Sequence, residues 1–122
     1  MQQLNVAVMV CVPPGGSVSF HALRLCESLL KSGDRLALVF FMGEGVYQAL
    51  RHADPPADEL PCLKRWQSLA AQGVDLFVCS AAAERRGVVG ASLASGFALA
   101  GLATWVAASS QADRQVIFKG GL

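Results

Sequence analysis

Leu4–Val12, LNVAVMVCV, runs straight into Pro13-Pro14-Gly15-Gly16. The run is almost continuously apolar and rich in β-branched residues, with no alternation of polar positions. A strand with one wet face alternates, so an unbroken run of this kind belongs to a strand covered on both faces. The Pro-Gly cluster then ends it in a turn. Arg35–Met42 (RLALVFFM) and Val74–Cys79 (VDLFVC) repeat the pattern, and Arg114–Lys119 (RQVIFK) predicts a last strand.

Helical patterns lie between the strands. Over Val18–Ser32, residues Val18, Ala22, Leu25, Cys26, Leu29 and Leu30 form one apolar face, opposite His21, Arg24, Ser28 and Lys31. That period is helical, with Ser17 expected as N-cap and Gly33 as the stop. Val46–His52 predicts one or two helical turns, and Ala53–Leu60 (ADPPADEL) a loop. Pro61 suits the first position of a helix to Gln72, which turns Leu63, Trp66, Leu69 and Ala70 inward before Gly73. Ser80–Arg86 reads as a short helical turn, Gly87–Gly96 as a loop and Phe97–Ala108 as an apolar helix.

Buried strands alternating with helices predict an α/β fold: a flavodoxin-like, doubly wound parallel sheet. The length of 122 residues suits a single domain over 1–122. Charged residues make up 16% of the chain, against roughly 25% in an ordinary globular domain. That deficit points to outer surface covered by partner subunits. A net charge of +1 supplies no long-range field for nucleic acid or anionic membrane. Met1–Asn5 lacks the basic start of a secretory signal and the apolar run Val6–Val12 is too short for one, so no such signal is expected. Gly87–Ala112 carries no charge, but its glycines and serines dilute it, so a buried or interface helix is expected there rather than a membrane span. Four irregularly spaced cysteines (Cys11, Cys26, Cys62, Cys79) predict a reduced, cytoplasmic protein. Without a CxxC or a histidine at ligand spacing, no metal is expected. Gly15-Gly16-Ser17 lacks the spacing of a phosphate-binding loop, so no nucleotide cofactor is expected either.

In parallel sheets, sites gather at the carboxyl ends of strands. Cys79 ends its strand and heads SAAAERRG. A helical start there, together with Arg85 and Arg86 one to two turns on, favours the reactive thiolate. No adjacent base supports hydrolysis, whereas a sulfur carrier needs only a stabilised, accessible thiolate. Position alone leaves two readings open, because a cysteine ending a buried strand commonly serves as a small core hydrophobe. Arg85 and Arg86 read equally as solvated surface charges. Glu44 and Tyr47 are candidate crevice-lining residues, or else a solvated loop and a packing aromatic. Cys26 reads as core and Cys62 as a half-open helix start. Trp66 and Trp105 read as core or interface anchors. In the flavodoxin order, Cys11 would lie one strand from Cys79, and a redox pair follows if both side chains share a face.

PPGG at 13–16, VFFMGEGVY at 39–47, VCSAAAERRGVV at 78–89, GFALAGL at 96–102 and DRQVIF at 113–118 together resemble the DsrE/TusD family of sulfurtransferase subunits, nearest its TusD branch. The segment around Cys79 is the specific part. The resemblance implies a persulfide-bearing subunit, with Cys79 as the sulfur carrier, in a heterohexamer with TusB- and TusC-like chains. It implies a TusA-like donor, a TusE-like (or DsrC-like) acceptor, and tRNA wobble 2-thiouridine as the end of the relay. A DsrE role in dissimilatory sulfur oxidation is the alternative within the same chemistry. A non-enzymatic oligomeric binding module with a structural Cys79 is the alternative outside it. Segments Val89–Gly96 and Arg51–Leu60 are shorter than the TusD pattern, and Cys11 is not part of it.

Overall fold

The computed structural model describes residues 3–52 and 62–120. The first apolar run forms β1 (Asn5–Val10), followed by α1 (Gly16–Lys31) and β2 (Arg35–Phe41). A 3-10 helix, Gly43–Ala49, leads toward α2 (Cys62–Ala71), then β3 (Leu76–Cys79) and α3 (Ser80–Arg85). A 3-10 turn at Gly90–Ser92 precedes β4 (Phe97–Ala100), α4 (Leu102–Gln111) and β5 (Arg114–Phe118). The Ala53–Leu60 loop and the helix start at Pro61 lie outside the described residues.

The expected parallel sheet is present, with five strands in the order β4-β3-β2-β1-β5. This order differs from the flavodoxin arrangement 2-1-3-4-5, because β2 stands between β1 and β3. The chain steps one way across the sheet from β1 to β4, then crosses back to β5. Right-handed crossovers therefore put α1 and α2 on one face and α4 on the other. Adjacent aromatics of β2 confirm the two layers, since successive strand residues point to opposite faces. Phe41 meets Trp66 of α2 at 5.1 Å, and Phe40 meets Trp105 of α4 at 6.2 Å. Both tryptophans are core residues.

Two local expectations are corrected. Ser17 is not the cap of α1: the helix begins at Gly16, Gly15 is its N-cap, and no side chain caps it. Gly15 and Gly16 have φ of 91° and 80°, backbone that glycine adopts without steric cost, so the chain turns into the helix on the two glycines without a side-chain cap. Phe97–Ala108 is not one helix. Phe97–Ala100 pairs with Leu76–Cys79 as an edge strand, and the helix starts only after Gly101. Phe-Ala-Leu-Ala forms a helix as readily as a strand; pairing along the open edge of β3 decides it. Gly33 stops α1 as expected, at φ 83°. The Gly33 N–H donates to the Leu30 carbonyl and the Asp34 N–H to that of Leu29.

The uncharged stretch Gly87–Ala112 is thus divided among a turn, an edge strand and a ten-residue helix. Among the described residues, no helix is long and apolar enough to cross a membrane.

Candidate functional site

Cys79 is the last residue of β3 and the N-cap of α3, with φ −60° and ψ 117°. Its Cα pairs with Ala100, and the hydroxyl of Ser80 donates to the Ala100 carbonyl at 3.3 Å. The helical start expected after the cysteine is present. The open sulfur is not: Cys79 is only 3% exposed. Its strand is interior, flanked by β2 and β4, and α3 leaves it without an intervening loop.

Cys11 follows β1, half-buried, with its N–H donating to the Phe118 carbonyl at 2.7 Å. Burial pushes its thiol up, with nearby Lys119 partly opposing. The expected proximity of Cys11 and Cys79 is corrected by the strand order. With β2 between their strands, the two chains lie about two spacings, ~10 Å, apart, beyond the roughly 7 Å Cα separation that a disulfide tolerates. None of the four cysteines is in a disulfide. Cys26 sits in the core, its thiol pushed up to about 12 by burial and by Glu27.

The segment after β2 is held tightly against the end of β1. A Cβ on Gly45 would lie 2.0 Å from the carbonyl oxygen of Val10, so this close approach requires glycine. Met42 N–H donates to that same carbonyl at 2.9 Å. Gln48 is buried, and its Nε2 donates to the Val12 carbonyl at 3.1 Å and to the Ser19 hydroxyl at 2.7 Å. One side chain thus ties the Gly43–Ala49 turn to the β1 exit and to α1.

Two of the sequence candidates meet here. Arg86 Nε donates to Glu44 Oε2 at 3.1 Å, and Arg86 Nη1 donates to the Ala82 carbonyl. Arg85 is exposed in the last turn of α3. The bonds of Arg86 are thus to Glu44 and to its own helix, at the end of α3 away from Cys79. Tyr47 is half-buried against the core and lines a cleft of about 540 Å³ with Leu50, Arg51, His52, Arg86 and Val88. A wall of this cleft is pinned from behind. Leu50 bridges Leu93, Arg51 N–H donates to the Ser92 carbonyl at 3.1 Å, and Arg51 Nη2 donates to the Ala91 carbonyl. Sequence reasoning missed Arg51 and His52 as site residues. Only the folding of residues 86–93 against 47–52 brings them into a cleft, and no local spacing signals that. Among the described residues, no group of three or more His, Cys, Asp or Glu is placed to hold a metal ion.

The profile of the DsrE/DsrF-like family matches residues 4–118. The chain belongs to this family. It is 38% identical to the sulfurtransferase TusD of Enterobacter sp. (strain 638), over 94% of this chain and all of the relative. It is 39% identical to the sulfurtransferase TusD of Salmonella enteritidis PT4, with the same coverage. The matched span of 128 residues exceeds the length of this chain, so the relatives carry insertions that it lacks. The crystal structure of the ychN protein from E. coli superposes with a TM-score of 0.83 at 26% identity, covering 96% of this chain and all of that one. The structural likeness to the ychN protein thus extends over nearly the whole of this DsrE/DsrF-like chain.

Proposed function

We propose that this chain is a sulfurtransferase subunit that carries persulfide sulfur on Cys79. The supporting observation is its likeness, over nearly its whole length, to proteins named sulfurtransferase TusD, combined with a cysteine at the junction of β3 and α3. The Cys79 thiolate attacks the outer sulfur of a donor persulfide, forming Cys79–S–S⁻ and releasing the donor thiolate. An acceptor thiolate then attacks that terminal sulfur and restores the Cys79 thiolate. No net oxidation occurs, so the residues need no redox cofactor.

The donor in this reading is a TusA-like protein and the acceptor a TusE-like one. The relay ends in 2-thiouridine at the tRNA wobble position, and the chain acts in the cytoplasm without contacting nucleic acid itself. The partners that complete a heterohexamer are TusB- and TusC-like chains. Their contact surface is the apolar exterior of β4 and α4, where Leu99, Leu102 and Val106 are exposed.

The burial of Cys79 favours one competing reading, an oligomeric binding module in which this cysteine is structural. Incubation with a cysteine desulfurase and cysteine, followed by peptide mapping, separates the two. The carrier reading expects a reducible gain of one sulfur atom on the peptide containing Cys79. A label confined to Cys62 or Cys11, with Cys79 bare, would end it.

A further inference from the structure

The cleft beside Tyr47 gathers Arg51, His52 and Arg86 over an apolar floor of Leu50 and Val88, and among the described residues no carboxylate lines it. Its volume of about 540 Å³ is in the range of ligand-binding clefts. One nitrogen of Arg51 bonds Ala91, but a guanidinium carries five N–H donors in all. Arg86 is held by Glu44, whose side chain is 56% exposed and open to replacement by another carboxylate.

The position of the cleft sets its distance from Cys79. Cys79 caps one end of α3 and Arg86 the other. Seven residues at 1.5 Å each separate them by about 10 Å. The Arg86 guanidinium folds back to the Ala82 carbonyl, and an extended peptide, at about 3.3 Å per residue, covers the whole rise in about three residues.

We infer that this cleft anchors an acidic segment of the protein that exchanges sulfur with Cys79, through a carboxylate about three residues from that protein's reacting cysteine. The inference rests on Cys79 being the carrier, but the anchoring can be measured without it. The probe is a fluorescein-labelled, extended peptide with one glutamate and, three residues away, serine in place of cysteine. Anisotropy should show salt-sensitive binding, weakened at least tenfold when the glutamate is replaced by glutamine. Arg51→Glu should abolish binding and Arg51→Lys should retain it. Asp54, Asp58 and Glu59 follow His52 in sequence and lie outside the described residues. The same titration is therefore run with all three changed to their amides. Equal binding of both peptides in both backgrounds, or binding indifferent to Arg51→Glu, overturns the inference.

A second arm uses the peptide with cysteine activated as a pyridyl disulfide. The Cys79 thiolate attacks the peptide sulfur and expels pyridine-2-thione. The rate should peak at the three-residue spacing and fall at least fivefold when glutamate and cysteine are eight residues apart. A rate independent of spacing overturns the link between cleft and thiol. Glutamate-dependent binding with no reaction at Cys79 at any spacing would instead overturn the carrier reading, leaving an acidic-peptide site.

Discussion

The helices on one face of the sheet turn charge outward, while the helix on the other turns out none. On α1 and α2, Arg24, Lys31 and Lys64 are exposed. Arg65 reaches across to Glu27, with Nε to Oε2 at 2.9 Å. Arg24 and Arg65 also stand over the Phe20 ring, at 5.7 and 5.2 Å. On α4 there is no charged residue, and Leu102 and Val106 are 47% and 58% exposed. Both layers pack the same sheet through a tryptophan, so the difference lies entirely on the outside. An apolar outer surface next to an apolar edge strand is what a subunit interface requires, and α1 and α2 lack it.

The largest expected effect contrasts the two tryptophans. Trp66 is fully buried and meets Phe41 edge-on, while Trp105 is 8% exposed. Trp66→Ala should cost about 3–5 kcal/mol in urea unfolding. Trp105→Ala should cost less in the isolated chain, and more once partners cover α4. Equal losses in both states would mean that α4 is no more dependent on partners than α2.

Cys26, on the sheet side of α1, gives the next effect. Its thiol is raised from 9.0 to about 12 in the fold, so folding favours the protonated form. The resulting stability is fully present below pH ~9 and is lost as pH rises toward 12. Three units correspond to at most about 4 kcal/mol. The stability of the natural chain should therefore fall more steeply than that of Cys26→Ala between pH 9 and 11. Parallel curves would show that Cys26 ionises without opening the core.

Much of this was legible in the sequence, for a physical reason. The strands β1, β2 and β3 are covered on both faces, so burial wrote itself into unbroken apolar runs. Edge strand β4 carries no such mark. Its four residues, Phe97–Ala100, sit among helix formers, and only pairing with β3 identifies them. The place of Cys79 at a strand end was legible, but its 3% exposure was not, because cover comes from neighbouring strands. Glu44 and Arg86 could each be named, but their ion pair joins residues 42 positions apart. Such contacts leave no local pattern.

Leu102→Glu with Val106→Glu tests the uncharged face directly. Both side chains are exposed, so the cost to the isolated chain should stay within about 1 kcal/mol. Association with partner chains, measured by sedimentation, should be lost. Arg24→Glu with Lys31→Glu on the other face should leave association intact. Loss in both variants would make assembly a matter of overall charge rather than of α4.

The smallest effect concerns the ion pairs on each side of the molecule. The Glu27 and Arg65 side chains are 33% and 32% exposed, and both carboxylate oxygens are engaged. Arg86 reaches Glu44 through one nitrogen, and Glu44 is 56% exposed. Exposed pairs contribute roughly 0.2–1 kcal/mol, with two-point arginine–carboxylate geometry at the upper end. A double-mutant cycle with Glu27→Gln and Arg65→Gln should therefore give a coupling of about 0.5–1 kcal/mol. The same cycle at Glu44 and Arg86 should give roughly 0.2–0.5 kcal/mol. Both should shrink in 1 M salt, where the Debye length is about 3 Å. A Glu44–Arg86 coupling larger than the Glu27–Arg65 one would contradict the geometry, and would mark Arg86 as too firmly held to release a place for an incoming carboxylate.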